Sequence, residues 1–136
     1  MKRILIVESD PALRDLYESS LSADGYEVLT ACDEADALAL NLVGKPDVII
    51  MDPIEGRCGV EVAAEFARAN KRVHVIFNTR NSYRMERDFS VWVADAIAEK
   101  GANADSLRSA LRSVAREEDR DESGSAPDRP GSQGRW

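Results

Sequence analysis

Residues 46–52 read Pro-Asp-Val-Ile-Ile-Met-Asp, a run of four apolar residues that ends in the carboxylate of Asp52. A short apolar run between polar residues is typical of a strand that is buried on both faces. Such strands belong to parallel sheets that are covered by helices on each side. In these sheets ligands bind beyond the carboxyl ends of the strands, at the point where the strand order reverses. Asp52 is therefore the predicted functional centre.

The composition is that of a single acidic domain. The chain has 136 residues, which suits one compact unit with one core. Its formal net charge of -7 argues against nucleic acid as a main partner, because phosphate backbones recruit basic surfaces. No apolar run approaches the roughly 20 residues that span a bilayer, and Glu8 and Asp10 cut short the apolar start, so no membrane contact is expected. Cys32 and Cys58 have no metal-site spacing and are interpreted as reduced thiols of a cytoplasmic protein, with a disulfide as the alternative.

Strands and helices alternate along the chain. Further apolar runs predict strands at residues 4–7, 26–31, 73–77 and 96–99. Asp10 and Asp33 are predicted N-caps of the first two helices, and amphipathic spacing predicts two more at residues 60–70 and 104–115. Residues 53–59 are rich in turn formers, and residues 78–92 indicate a loop followed by a short or irregular helix. This alternation predicts a parallel α/β sheet with right-handed crossovers.

The character of the chain changes at Arg116. Residues 116–122 are a charge run, and the residues after them are rich in Ser, Gly and Pro. Such a segment has too few apolar side chains to offset the entropy lost on ordering. The predicted organisation is one domain over residues 1–116 and a disordered tail over residues 117–136. A docking tail anchored by Trp136 is the alternative.

The predicted sheet brings polar side chains to one edge. They are Glu8, Ser9 and Asp10 after the first strand, Asp52 at the end of the third, Thr79 after the fourth and Lys100 after the fifth. Carboxylates gathered at one place can bind a hard divalent cation such as Mg²⁺. A hydroxyl and an ammonium beside them suit a phosphoryl group, and an Asp carboxylate can be the nucleophile that accepts it.

With these segments in place, the chain resembles a response-regulator receiver domain of bacterial two-component signalling over about residues 2–116. The matching segments, in order and at family spacing, are residues 4–11, 46–52, 75–79 and 94–100. The resemblance implies a three-layer flavodoxin-like fold, a five-stranded parallel sheet of order 2-1-3-4-5 with helices on both faces. It also implies that Asp52 is the phosphoacceptor and that Glu8 and Asp52 hold Mg²⁺. Thr79 then supplies the switch hydroxyl, and Lys100 is the phosphate partner.

Several positions depart from the family pattern. The second acidic position, normally an Asp that ligates the metal, is Ser9, and its neutral hydroxyl is expected to weaken Mg²⁺ binding. Asp10, one residue further on, can be a helix cap or a substitute ligand. Arg80 stands where a small residue is usual and is either a solvated side chain or a phosphate ligand. Ile97 stands where an aromatic switch residue is usual, so an altered activation relay is expected.

Two interpretations of the function stay open. A phosphorylatable receiver would accept a phosphoryl group from a histidine kinase, a phosphotransfer protein or a small phosphodonor, and would signal through contacts with a downstream protein. A pseudo-receiver would keep the fold as a binding module that does not use phosphate. Ser9, Arg80 and Ile97 favour the second, whereas Asp52 and Lys100 favour the first. No enzyme is expected, since a haloacid-dehalogenase-like phosphatase needs an Asp nucleophile after the first strand, where this chain has a Glu. A flavin carrier needs a first loop rich in Ser, Thr or Gly, which this chain lacks.

Overall fold

The computed structural model describes residues 3–52, 59–80, 95–101 and 103–122. The loop predicted at residues 53–59 and the helix predicted after residue 80 fall largely outside these ranges. In chain order the elements are β1 (Arg3–Val7), α1 (Pro11–Ala23), β2 (Glu27–Ala31), α2 (Glu34–Gly44), β3 (Val48–Met51), α3 (Gly59–Ala69), β4 (His74–Thr79), β5 (Ala96–Glu99) and α4 (Asp105–Glu122).

The strands form one parallel sheet in the order β2-β1-β3-β4-β5. The predicted strand order is confirmed. The order reverses at β1, which pairs with β2 on one side and with β3 on the other. The carboxyl ends of β1 and β3 therefore lie side by side at the switch point, and the residues that follow them face a common site.

Helices cover both faces of the sheet, as predicted. On one face, Tyr17 and Leu21 of α1 and Leu107 and Leu111 of α4 pack in a single buried cluster with the strands. On the other face, a second cluster holds Ala37 of α2 together with Val62, Ala63 and Phe66 of α3. The central strand β3 is apolar and buried at every position, as expected of a strand that is covered by helices on both faces. Burying each such large side chain contributes about 1.5–3 kcal/mol.

Two aspartates set the starts of the helices next to the sheet edge. The Asp10 backbone is extended, and its carboxylate accepts a hydrogen bond of 2.9 Å from the Ala12 N–H, with Pro11 in the first turn. The Asp33 carboxylate accepts one of 2.9 Å from the Asp36 N–H at the start of α2. Both predicted N-caps are confirmed. They fix where the chain turns from β1 into α1 and from β2 into α2.

Two predicted boundaries are wrong by more than one residue. β4 continues through Thr79, two residues past its predicted end, because the chain stays in register with β5 up to the pair of Thr79 and Glu99. α4 continues to Glu122, seven residues past the predicted end at residue 115. The charge run contains Arg and Glu, which are good helix formers, and neither Gly nor Pro. Residues 117–122, predicted to be disordered, are therefore helical, and the rest of the predicted tail lies outside the described residues.

In the described part of the chain, every helix is too short or too polar to cross a bilayer.

Candidate functional site

Glu8 is the first residue after β1 and is held from two sides. Its N–H donates a hydrogen bond of 3.0 Å to the Ala31 carbonyl at the end of β2. Its carboxylate oxygen Oε2 accepts one of 3.1 Å from the Asp10 N–H. The Glu8 side chain is only 3% exposed. Few rotamers are open to it, so its second oxygen, Oε1, points to a defined place at the sheet edge.

The Lys100 ammonium joins the ends of three strands. Its Nζ lies 2.9 Å from Oε1 of Glu8 and 3.0 Å from Oδ2 of Asp52, which directly follows β3. The Lys100 side chain is 2% exposed and that of Asp52 is 8% exposed. The structure thus brings Glu8, Asp52 and Lys100 together at one edge of the sheet. Short contacts between charged groups of this kind are strong hydrogen bonds.

The two carboxylates keep the lysine charged. Burial by itself lowers the pKa of Lys100, but the hydrogen bonds and charges of Glu8 and Asp52 outweigh burial and raise that pKa well above its ordinary value. With both carboxylates ionised, the three side chains carry one net negative charge. The cluster can therefore attract a further cation, and it presents an ammonium beside the Asp52 oxygens to any anion that becomes attached there.

Thr79 lies beside this cluster, at the end of β4. It is 1% exposed, and its carbonyl accepts a hydrogen bond of 3.0 Å from the Lys100 N–H. That bond ties the end of β4 to the residue that carries the bridging ammonium. Arg80 is exposed in the turn after β4. Thr79 and Lys100 are therefore held next to one another, whereas Arg80 lies on the solvent side.

The remaining predicted residues have different positions. Ser9 and Asp10 are exposed, and Asp10 serves as the α1 cap described above. Ile97 is half-buried on β5 opposite Phe77 and packs against the cluster on the α2 and α3 side of the sheet. It fills core space rather than the edge occupied by the charged cluster. Its predicted role in a switch thus concerns packing and not contact with a phosphoryl group.

The oxygen atoms at this edge of the sheet suit Mg²⁺, although few of them are negatively charged. Among the described residues, no group of three or more His, Cys, Asp or Glu side chains is placed to hold a metal ion. Mg²⁺ commonly binds through one or two carboxylates and keeps several waters. Glu8 and Asp52 provide two carboxylates, and Ser9 lines the same cavity as Asp52. The residues fit a hydrated Mg²⁺ ion, with one negative charge fewer than a third carboxylate would give.

Sequence analysis missed one contributor to the site, Arg14 of α1. Its Nη1 donates a hydrogen bond of 2.9 Å to the carbonyl of Glu8, six residues earlier. The bond joins the body of α1 to the turn that carries the Glu8 carboxylate. The only sequence signal was a basic residue one turn inside a capped helix, and such residues usually face solvent. A local geometry of this kind is visible only in the structure.

The molecule combines a five-stranded parallel sheet of order 2-1-3-4-5 with a buried cluster of two carboxylates and an ammonium at its switch point. The family model of the response regulator receiver domain matches residues 4–112. The chain belongs to this family, and it is a receiver domain of two-component signalling with a flavodoxin-like fold.

Individual relatives agree with this assignment. The transcriptional regulatory protein AfsQ1 of Streptomyces coelicolor is 30% identical over 132 residues, which cover 93% of this chain and 56% of AfsQ1. The chain therefore spans about half the length of AfsQ1. The response regulator TrrA of Thermotoga maritima, in complex with Mg²⁺-BeF, is 33% identical with a TM-score of 0.72, over 84% of this chain and 99% of TrrA. TrrA in complex with the histidine kinase ThkA is 36% identical with a TM-score of 0.71, over 84% of this chain and 98% of TrrA.

Proposed function

We propose that this receiver domain accepts a phosphoryl group on Asp52 and relays that event through protein contacts. The observation that carries the proposal is the position of Lys100 Nζ, 2.9 Å from Glu8 and 3.0 Å from Asp52 at the switch point of the sheet. A buried ammonium held beside a strand-end carboxylate supports transfer chemistry, because it can balance charge that arrives at that carboxylate.

The transfer is a displacement at phosphorus. A carboxylate oxygen of Asp52 attacks the phosphorus atom, the new P–O bond forms, and the bond from phosphorus to the donor breaks. The electron pair of the broken bond leaves with the donor group, which takes a proton from water. The product is an acyl phosphate whose phosphoryl group carries a charge of roughly -1.5 to -2 and lies beside the Lys100 ammonium.

Glu8 and Asp52 would hold Mg²⁺ in this proposal, and Ser9 would contribute at most a neutral oxygen. When bound, the ion would neutralise negative charge on the phosphoryl oxygens. Affinity for hard cations increases with the number of charged ligands, so the Mg²⁺ affinity of this domain is proposed to be low for the family. Asp10 is engaged as a helix cap and is not assigned to the ion.

The proposed phosphodonor is a histidine kinase or a phosphotransfer protein. The complex of TrrA with the histidine kinase ThkA supports this class of partner, since TrrA is 36% identical to this chain. The output is proposed to be a contact with a downstream protein rather than a reaction on a substrate of its own. A cytoplasmic location fits such partners and is part of the same proposal.

Thr79 and Lys100 are the proposed readers of the phosphorylated state. The phosphoryl oxygens would draw the Thr79 hydroxyl and the Lys100 ammonium, and the backbone bond between these residues would couple their movements. Arg80 is exposed in the unphosphorylated protein, and its guanidinium would add a second cation from the solvent side.

The proposal is tested with beryllofluoride, which mimics a phosphoryl group on a carboxylate. We expect saturable amide NMR shifts at Glu8, Asp52 and Lys100 when beryllofluoride and Mg²⁺ are added together, and none with beryllofluoride alone. Asp52→Asn should abolish the shifts, whereas Asp15→Asn, which removes an exposed carboxylate from α1, should leave them unchanged. Wild-type protein that shows no shifts would contradict the proposal and favour the pseudo-receiver.

A further inference from the structure

A cavity of about 690 Å³ opens beside Asp52, between β1, β3, α2 and α3. Its volume lies within the range of sites that bind small organic molecules, roughly 300–1,000 Å³. Its apolar lining comes from Val7, Ala35, Met51, Val62 and Phe66. Met51, Val62 and Phe66 are buried core residues and form the floor, whereas Ala35 is exposed on α2 and lies nearer the mouth.

The charged side chains among the described lining residues of the cavity have one sign of charge. Among the described lining residues, Asp33, Glu34 and Asp52 are acidic and none is basic. Ser9 and Cys32 add small, neutral groups at the exposed side. The ammonium nearest to Asp52 is that of Lys100, which is already held between Asp52 and Glu8. The described part of the mouth is therefore acidic, whereas the floor is apolar.

We propose that this cavity binds a small organic cation, an amine whose ammonium lies among Asp33, Glu34 and Asp52 and whose apolar body packs on Met51, Val62 and Phe66. The pairing of an apolar floor with an acidic mouth selects this class over neutral and anionic molecules. The start of α2 also lies at the mouth, and a helix start favours anions. Asp33 and Glu34 already supply negative charge to that first turn, so a further anion would meet like charges.

The inference goes beyond phosphoryl transfer, although the two share Asp52. An ammonium bound there would compete with Mg²⁺ for the Asp52 carboxylate. The small Ser9 side chain leaves the mouth of the cavity without the carboxylate that the family usually has at this position. Binding is measured without phosphodonor or Mg²⁺, so the failure of this proposal can be told apart from a failure of the proposed function.

The test uses the full chain and two probes of similar size, phenethylamine and 3-phenylpropionate. Each is titrated against isotope-labelled protein at constant ionic strength, and amide NMR shifts are followed at Ala35, Met51 and Val62. We expect saturable shifts at these residues with phenethylamine, and an affinity for 3-phenylpropionate that is weaker by about tenfold or more.

Matched variants on α2 separate charge from shape. Glu34→Gln removes a lining carboxylate and should weaken phenethylamine binding by about two- to fivefold. Asp36→Asn removes an exposed carboxylate from the same turn, outside the lining, and should have little effect. Ala35→Leu should block the cavity, whereas Ala39→Leu, at an exposed position further along α2, should not.

Three results would overturn the inference. They are the absence of saturable shifts with phenethylamine, equal affinities for the two probes, and equal effects of Glu34→Gln and Asp36→Asn. If Ala35→Leu fails to fold, the two charge variants and the two probes still decide the question.

Discussion

The Lys100 ammonium compensates two nearly buried carboxylates for the hydration that they lose on folding. Glu8 and Asp52 are each within hydrogen-bond distance of it. Without the ammonium, the two carboxylates would repel one another in a poorly hydrated place. The pairing also raises the pKa of Lys100, because the carboxylates outweigh the opposing effect of burial. A lysine whose pKa is raised on folding stabilises the folded state fully below its unfolded pKa of about 10.4 and loses this contribution only at higher pH.

This balance predicts the behaviour of Lys100→Met. The variant should lose about 3 kcal/mol of unfolding free energy at pH 7.5, since it leaves two buried carboxylates without their partner. Urea unfolding of both proteins at this pH measures the loss. Lys71→Met removes an exposed lysine and serves as the control. A Lys100→Met protein as stable as wild type at pH 7.5 would show that the bridge adds no net stability.

Ser9 provides a second prediction for a single residue. Ser9→Asp adds a carboxylate to the set formed by Glu8 and Asp52, and should strengthen Mg²⁺ binding severalfold. Isothermal titration with MgCl₂ measures the change. Ser19→Asp, an exposed substitution on α1, tests whether charge alone raises the affinity. Equal affinities of wild type and Ser9→Asp would mean that another group, such as Asp10, already completes the site.

The sequence was sufficient to predict some residues of the candidate site but not others, and the difference has a physical reason. Glu8, Asp52 and Lys100 follow strand ends, and parallel strands bring such residues to one edge whatever their side chains do. Arg14 acts through one hydrogen bond to a carbonyl, and no periodic pattern marks such a bond. The cavity beside Asp52 depends on how α2 and α3 pack, which the chain order does not specify.

Among the elements, α4 shows that a helix can continue beyond its last buried residue. Its buried residues end at Val114, yet the helix continues to Glu122. Its other end is tied to the rest of the domain by Arg108, whose Nε lies 2.7 Å from an Asp24 carboxylate oxygen. The sequence predicted the packed part of α4 from its apolar spacing. It missed the extension because a charge run was interpreted as disorder, although the same residues are good helix formers.

The element-level prediction concerns the extension of α4 and the residues beyond it. Deleting residues 117–136 should leave the thermal midpoint nearly unchanged, because no described apolar contact lies beyond Val114. A truncation after residue 113 also removes the buried Val114 and should lower the midpoint by several degrees. Differential scanning calorimetry compares the two. A drop of several degrees for the shorter deletion would show that the tail packs on the domain, as a docking tail anchored by Trp136 would.

For the whole molecule, the alternation of strands and helices was enough to predict a parallel sheet with helices on both faces. The order of the strands came from the family resemblance, since alternation alone allows other orders. The position of Glu8, Asp52 and Lys100 at one edge of the sheet followed from that order. What the pattern could not supply was the path of the chain at residues 78–80, where β4 continues as far as its pairing with β5 permits.

A prediction for the whole molecule concerns how far a signal spreads. Ile97 packs in the core where an aromatic follower is usual, and a β-branched side chain has few rotamers. Beryllofluoride with Mg²⁺ should therefore shift amides at the ends of β1, β3 and β5 while those of residues 81–92 change little. Ile97→Tyr should widen the response, and Val28→Ile on β2 is a control for added core volume. Large wild-type shifts throughout residues 79–92 and 96–100 would instead indicate an ordinary switch.

The central claim is that Asp52 takes up a phosphoryl group. Intact-mass measurement after incubation with Mg²⁺ and acetyl phosphate tests it most directly. We predict that wild-type protein gains the mass of one phosphoryl group, that Asp52→Asn gains none, and that Asp15→Asn behaves as wild type. Wild-type protein that stays at its starting mass, or an Asp52→Asn protein that gains the same mass, would contradict the claim.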